Sequence, residues 1–137
     1  MILKTKYPSM IQQSSLPVYR QAIGKTFINA FNGMQFFFKT ERNGKVQAAV
    51  SIFVLLAGFY LKISSVEWII VVICVAVVIA LEMVNTALEH LCNMIQSEYH
   101  TVIKIIKDVA AGAVLFVSII SILVGAIIFL PKILSLL

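Results

Sequence analysis

Hydrophobic and polar positions along this chain fall into long blocks. Three stretches carry no charge: Val46 to Leu61 between Lys45 and Lys62, Trp68 to Leu81 ahead of Glu82, and Val109 to Leu130 between Asp108 and Pro131. A helix that crosses the hydrocarbon layer needs roughly 20 apolar residues. The third stretch meets that alone. The first meets it with flanking polar residues at the interface, and the second by continuing past Glu82 to Leu91. The second stretch is rich in Val and Ile, which favour strands in water. In lipid an open sheet would leave backbone donors unpaired, so helix wins. Upstream, Ile23, Phe27, Phe31, Met34 and Phe38 recur at spacings of three and four, with Lys25, Asn29, Asn32 and Lys39 largely off that stripe. This predicts an amphipathic helix lying on the membrane surface, with Phe36, Phe37 and Phe38 in the acyl boundary. Thr40 to Gly44 is expected to break or bend the chain, Ser64-Ser65 to form a short outer turn, and Gln96 to Lys107 to connect the last two spans.

The predicted fold is therefore an all-α polytopic membrane protein with three transmembrane helices and an N-terminal amphipathic surface helix. Residues 1–19 are expected to be a loose tail and 20–132 one membrane domain. Within it the surface helix covers 21–39 and the spans about 45–62, 67–93 and 108–130.

Composition agrees. Hydrophobic residues make up 61% of the chain and charged residues 12%, where a soluble domain carries about 25% charged residues. The net charge of +5 is unevenly placed. Lys4, Lys6, Arg20, Lys25, Lys39, Arg42 and Lys45 precede the first span, and Lys104 and Lys107 lie between the second and third. The positive-inside rule puts the N-terminus and the 93–108 connection in the cytoplasm. The basic residues are scattered and no reading motif accompanies them, so nucleic acid is not an expected partner; anionic lipid is. Pro8 and Pro17 in a polar N-terminal stretch do not suit a cleavable signal. Cys74 and Cys92 lack a CxxC spacing and read as free thiols. Ala110, Ala111, Gly112, Ala113, Ser118, Ser121 and Gly125 give the third span a small-residue character, most simply for close helix packing.

The chemistry concentrates on the second span. Glu82, Asn85, Glu89 and Asn93 lie within about 80° of one another around a helix and along roughly 16 Å of its length. Such a stripe cannot face lipid; it faces a partner helix, a metal or a substrate. Interhelical hydrogen bonding alone is the plain alternative. Glu41, just before the first span, would share a level with Glu89. Two carboxylates near Lys107 suit Mg²⁺ and a phosphate, since Mg²⁺ is held by one or two carboxylates plus substrate phosphates. Glu82, about 10 Å deeper along the helix, could take the proton of a lipid hydroxyl. Neither GxxxxGK[ST] nor GxGxxG occurs, which excludes the soluble kinase scaffolds. His90 points about 100° from Glu89 and is expected at the rim. Lys104 reads as an anionic-lipid anchor, and Tyr60 and Trp68 as outer-interface residues.

Several segments together resemble the bacterial diacylglycerol kinase and undecaprenol kinase family. They are Glu82-Met-Val-Asn85-Thr-Ala-Leu-Glu89, Ser97-Glu98-Tyr99-His100, Lys107-Asp108-Val-Ala-Ala-Gly112-Ala-Val, and Glu41-Arg-Asn before the first span. The resemblance covers about residues 20–130. It implies a homotrimer of three-span chains in the bacterial inner membrane, with an active site at the cytoplasmic boundary shared between subunits. It implies Glu82 as catalytic base, Glu41 and Glu89 as metal ligands, and Asn85 beside the acceptor hydroxyl. It places Glu41, Glu89, Glu98, Tyr99, His100, Lys107 and Asp108 around the nucleotide. The implied partners are ATP with Mg²⁺ and a membrane lipid alcohol, undecaprenol rather than diacylglycerol on the KDxAAGAV form.

The chain departs from the family pattern at Asn93, where Asp is common, and at Asn29, Asn32 and Gly44, where Tyr, Lys and an aromatic are usual. The first change removes a charge and bears on nucleotide or metal affinity; the others bear on the lipid gate. The sequence thus predicts an ATP-dependent lipid kinase. A small transporter or channel subunit with a cation at Glu82 is the rival that Glu82 and Asn85 alone would fit, and an inactive member of the same fold is the rival that Asn93 raises.

Overall fold

The computed structural model describes residues 23–95 and 99–136, and it is all-helical across them. In chain order the helices are α1 (Ile23–Thr40), α2 (Arg42–Tyr60), α3 (Ser65–Ile95) and α4 (Thr101–Leu134). The chain divides into two compact units at Gly33 and Met34. Of the first, the described residues form the N-terminal part of α1. The second holds the end of α1 and the other three helices.

Helices α2, α3 and α4 are each long and apolar enough to cross a membrane. With 19, 31 and 34 residues, they extend about 28, 46 and 51 Å at 1.5 Å per residue. The hydrocarbon layer is about 30 Å thick, so α3 and α4 are longer than a crossing requires. α3 is the central element, packing most extensively along α4 and also along α2.

The end of the fold at residues 61–67 is tightly specified. Ile63 N–H donates to Gly58 O at 3.2 Å and Lys62 N–H to Phe59 O at 3.3 Å, a Schellman closure of α2. Lys62 holds the left-handed position, with φ 50°. Gly58 is needed there, because a Cβ would sit 3.0 Å from the Trp68 ring and 3.1 Å from Ile63. Ser64 then opens α3: its N–H donates to Glu67 Oε2 at 2.6 Å, and Glu67 N–H donates to Ser64 Oγ at 3.4 Å. This is a capping box. Glu67 also pairs with Lys132 of α4 at 3.2 Å. Ile63, Val71 and Ile128 form a buried cluster beneath these contacts, with Trp68 and Phe129 packed against it.

At the opposite end the chain turns sharply between α1 and α2. Glu41 is extended there (φ −79°, ψ 131°) and its N–H donates to Phe37 O at 3.1 Å. Gly44 lies so close to α1 that a Cβ would come within 2.5 Å of Phe37 O. The bend expected over Thr40–Gly44 is this elbow.

Two expectations change. Phe37 is buried within the protein rather than set in the acyl boundary, because the elbow folds Gly44 onto it, and Phe36 packs edge-on against His90. The connection expected over 96–107 is shorter, because α4 already begins at Thr101. Thr101, Lys104, Lys107 and Asp108 sit at helical spacing among Val102, Ile103, Ile105 and Ile106. That amphipathic stretch extends α4 beyond its apolar span, where hydropathy alone does not register it. α4 also continues through Pro131 to Leu134, since a proline close to a helix end removes only one backbone bond.

Candidate active site

The buried residues of α3 are Val71, Val78, Glu82, Asn85 and Cys92. Their spacings of seven, four, three and seven place them on one seam, the face that α3 turns to its neighbours. A carboxylate and an amide therefore occupy positions that helix geometry otherwise gives to core residues. Glu82 is 4% exposed and Asn85 5%. No donor among the described residues reaches Glu82 Oε1 or Asn85 Oδ1. Interhelical hydrogen bonding does not explain either oxygen. Glu82 lies about 26 Å along α3 from Ser65, close to the far edge of a layer about 30 Å thick.

From Asn85 outward the polar groups are linked in pairs. Asn85 Nδ2 donates to Glu89 Oε1 at 3.3 Å. The next residue, His90, meets Glu41 across the elbow, Nε2 to Oε1, at 3.0 Å. Lys107 Nζ donates to Asn93 Oδ1 at 2.6 Å, joining α4 to the end of α3. Lys104 pairs with Asp108 one turn along α4. Glu89, His90 and Asn93 are exposed, whereas Glu82 and Asn85 are not. The polar stripe thus runs from a buried carboxylate to an open rim.

Glu82, Asn85 and Glu89 lie on one helix face, with Asn85 bonded to Glu89. Glu41 bonds His90, the residue after Glu89, rather than Glu89 itself. Lys107 is at the same end of the fold but is engaged by Asn93. Asp108 faces Lys104 rather than Glu41 or Glu89. Tyr99 and His100 are exposed at the start of α4, where His100 is the N-cap in extended conformation. Glu98 lies outside the described residues. His90 was expected at the rim and is indeed exposed, but its bond to Glu41 was not legible: that contact depends on the elbow, not on any spacing along α3.

Among the described residues, no three His, Cys, Asp or Glu side chains gather as a ready metal cage. Glu41 and Glu89 are hard oxygen donors, and Glu41 meets α3 at His90, the residue that follows Glu89. That donor set fits Mg²⁺, which takes one or two carboxylates and completes its shell with phosphate oxygens and water.

A cavity of about 350 Å³ opens between α2, α3 and α4. Val71, Cys74 and Val78 line it from α3, and Ser118, Ser121 and Gly125 from α4. The small residues of α4 thus make room here rather than a close helix contact. Val78 is one turn from Glu82 on the same seam, so the apolar cavity and the buried carboxylate follow one another along α3.

The profile of the prokaryotic diacylglycerol kinase family matches residues 28–129. The undecaprenol kinase of Bacillus subtilis (strain 168) is 40% identical over 108 residues, covering 79% of this chain and 88% of the relative. The diacylglycerol kinase of Synechocystis sp. is 34% identical over 112 residues, covering 81% of this chain and 64% of that longer relative.

Proposed function

The chain belongs to the prokaryotic diacylglycerol kinase family and is a phosphotransferase acting on a lipid alcohol group; from that premise we propose that it moves the γ-phosphate of ATP to the hydroxyl of undecaprenol. The observation that carries this reading is the buried Glu82 Oε1, an acceptor that no donor of the described chain satisfies. An alcohol O–H is the donor such a group lacks. A transporter site for a cation would not call for the polar rim that follows Glu82 outward to Lys107.

In this reading the acceptor hydroxyl lies against Glu82. As its oxygen bonds to the γ-phosphorus, the O–H proton passes to the Glu82 carboxylate and the bond from γ-phosphorus to the β,γ-bridging oxygen breaks. ADP leaves, and a lipid phosphate remains. A positioned base of this kind is worth about 10²- to 10⁴-fold in rate. Asn85 holds the Glu89 carboxylate from the buried side. Glu41 and Glu89 would hold Mg²⁺, which when bound neutralises charge on the β- and γ-phosphate oxygens. Lys107 gives one of its three N–H donors to Asn93, which leaves two for phosphate. Glu98, Tyr99, His100 and Asp108 complete the nucleotide side on the strength of their sequence pattern. The cavity between the helices suits the hydrocarbon tail of the alcohol, and its volume is at the small end of ligand pockets, about 300–1,000 Å³.

We place the 85–108 end at the cytoplasmic face of a bacterial inner membrane, with the N-terminus on that side. The excess of basic residues before α2, together with Lys104 and Lys107, supports this orientation. The homotrimer remains part of the proposal. Undecaprenol is preferred over diacylglycerol because the undecaprenol kinase relative shares the higher identity and is matched over more of its length.

The direct test is radiolabelled ATP offered to the purified protein in micelles with a panel of alcohols: undecaprenol, a shorter polyprenol, diacylglycerol and a long-chain alkanol. The expected result is label in a lipid phosphate, fastest with undecaprenol. Preference for diacylglycerol would reassign the substrate, and ATP consumption without any labelled lipid would remove the kinase reading.

A further inference from the structure

The pairing of Glu41 with His90 has no counterpart in the roles assigned above. Glu41 occupies the N-cap position of α2, where an acidic side chain ordinarily accepts from the free N–H groups of the first turn. Here it makes no such bond. Its carboxylate leaves the local partner and crosses to α3, where Oε1 lies 3.0 Å from His90 Nε2. An ionised carboxylate has only acceptors, so Nε2 carries the hydrogen. The imidazole is itself braced: Phe36, from the end of α1, meets it edge-on with centroids 6.0 Å apart and planes at 63°. Gly44, folded against Phe37 O, fixes the elbow that delivers both Phe36 and Glu41. The sequence neighbour of His90 is Glu89, whose carboxylate is held by Asn85.

We propose that His90 is a positioning residue that holds the Glu41 carboxylate at the level of Glu89, so that both oxygen ligands for the nucleotide's Mg²⁺ are set before the nucleotide arrives. This rests on the reading of Glu41 and Glu89 as metal ligands. A hydrogen bond between the imidazole and Oε1 fixes the rotamer of Glu41 on the α3 side of the elbow. Partners that orient a metal ligand in this way are typically worth about 10- to 100-fold in metal affinity.

Mn²⁺ in place of Mg²⁺ gives a binding readout independent of turnover. Electron paramagnetic resonance would follow free Mn²⁺ during titration of the full-length protein in detergent with a non-hydrolysable ATP analogue. Wild type, His90→Ala, His90→Gln and Glu41→Gln would be compared. In His90→Ala, Mn²⁺ binding is expected to weaken about 10-fold while the KM for the lipid alcohol stays where it was. His90→Gln, whose amide N–H can replace the Nε2 donor, is expected to recover most of the loss, which a general packing defect would not allow. Wild-type or tighter Mn²⁺ binding in His90→Ala would overturn the proposal, the tighter case showing that His90 competes with the metal for Glu41. Unchanged binding in Glu41→Gln would overturn the metal assignment itself. Weak binding in Glu41→Gln beside normal binding in His90→Ala would overturn only the role of His90.

Discussion

At Glu82 a carboxylate oxygen is buried with no donor among the described residues, on a seam whose other buried residues are Val71, Val78, Asn85 and Cys92. Leaving such a group unpaired costs about 1–3 kcal/mol or more, a cost that packing alone would not maintain and that the proposed proton transfer would account for. That Glu82 and Asn85 share a face was legible in the sequence, because a 3.6-residue period fixes which side chains lie together. The bonds from His90 to Glu41 and from Asn93 to Lys107 were not, because those partners lie outside α3. Lys107 is the clearest case. The sequence suggested a cation for phosphate, and Asn93 in place of the usual Asp suggested weakened nucleotide or metal affinity. In the structure Asn93 bonds Lys107 without neutralising it. Asn93→Asp would turn that contact into an ion pair competing with phosphate for the same ammonium. Exposed pairs are worth about 0.2–1 kcal/mol, so the KM for ATP is expected to rise about 1.5- to 5-fold. Steady-state kinetics at saturating lipid would check this, and a fall in KM would show that the added charge helps the nucleotide instead.

Among the elements, the three apolar helices and the bend before α2 follow from runs of uncharged residues and from Thr40–Gly44. The boundaries were less visible where a helix leaves the apolar layer. α4 gains the turns from Thr101 to Asp108 because its polar positions there fall at helical spacing, including Lys104 with Asp108. The elbow was foreseen as a break but not as a contact. Gly44 was seen only as a departure from an aromatic, whereas its missing Cβ is what lets α2 approach Phe37 O. Gly44→Ala would place a methyl group 2.5 Å from that backbone oxygen, and a backbone atom cannot move aside as a side-chain tip can. A loss of about 1–3 kcal/mol is expected. It should appear as a lower unfolding temperature in detergent, together with weaker Mn²⁺ binding because Glu41 is displaced. An alanine variant as stable as wild type would show that the elbow yields easily.

Across the whole molecule, the apolar cavity, the buried Glu82 and the polar rim succeed one another along α3, in the order in which a hydrocarbon tail, a hydroxyl and a nucleotide would have to lie. Hydropathy reveals the span, and helical periodicity reveals the stripe. Neither reveals the cavity, because Ser118, Ser121 and Gly125 read equally well as a close-packing face until α2 is seen to stand off from them. The most direct test is transfer of label from ATP to undecaprenol by the protein in nanodiscs, comparing wild type with Glu82→Gln and measuring nucleotide binding on the same samples. The account predicts labelled lipid phosphate with wild type, a rate lower by about 10²- to 10⁴-fold in Glu82→Gln, and unchanged nucleotide affinity. Near-normal transfer by Glu82→Gln would contradict it.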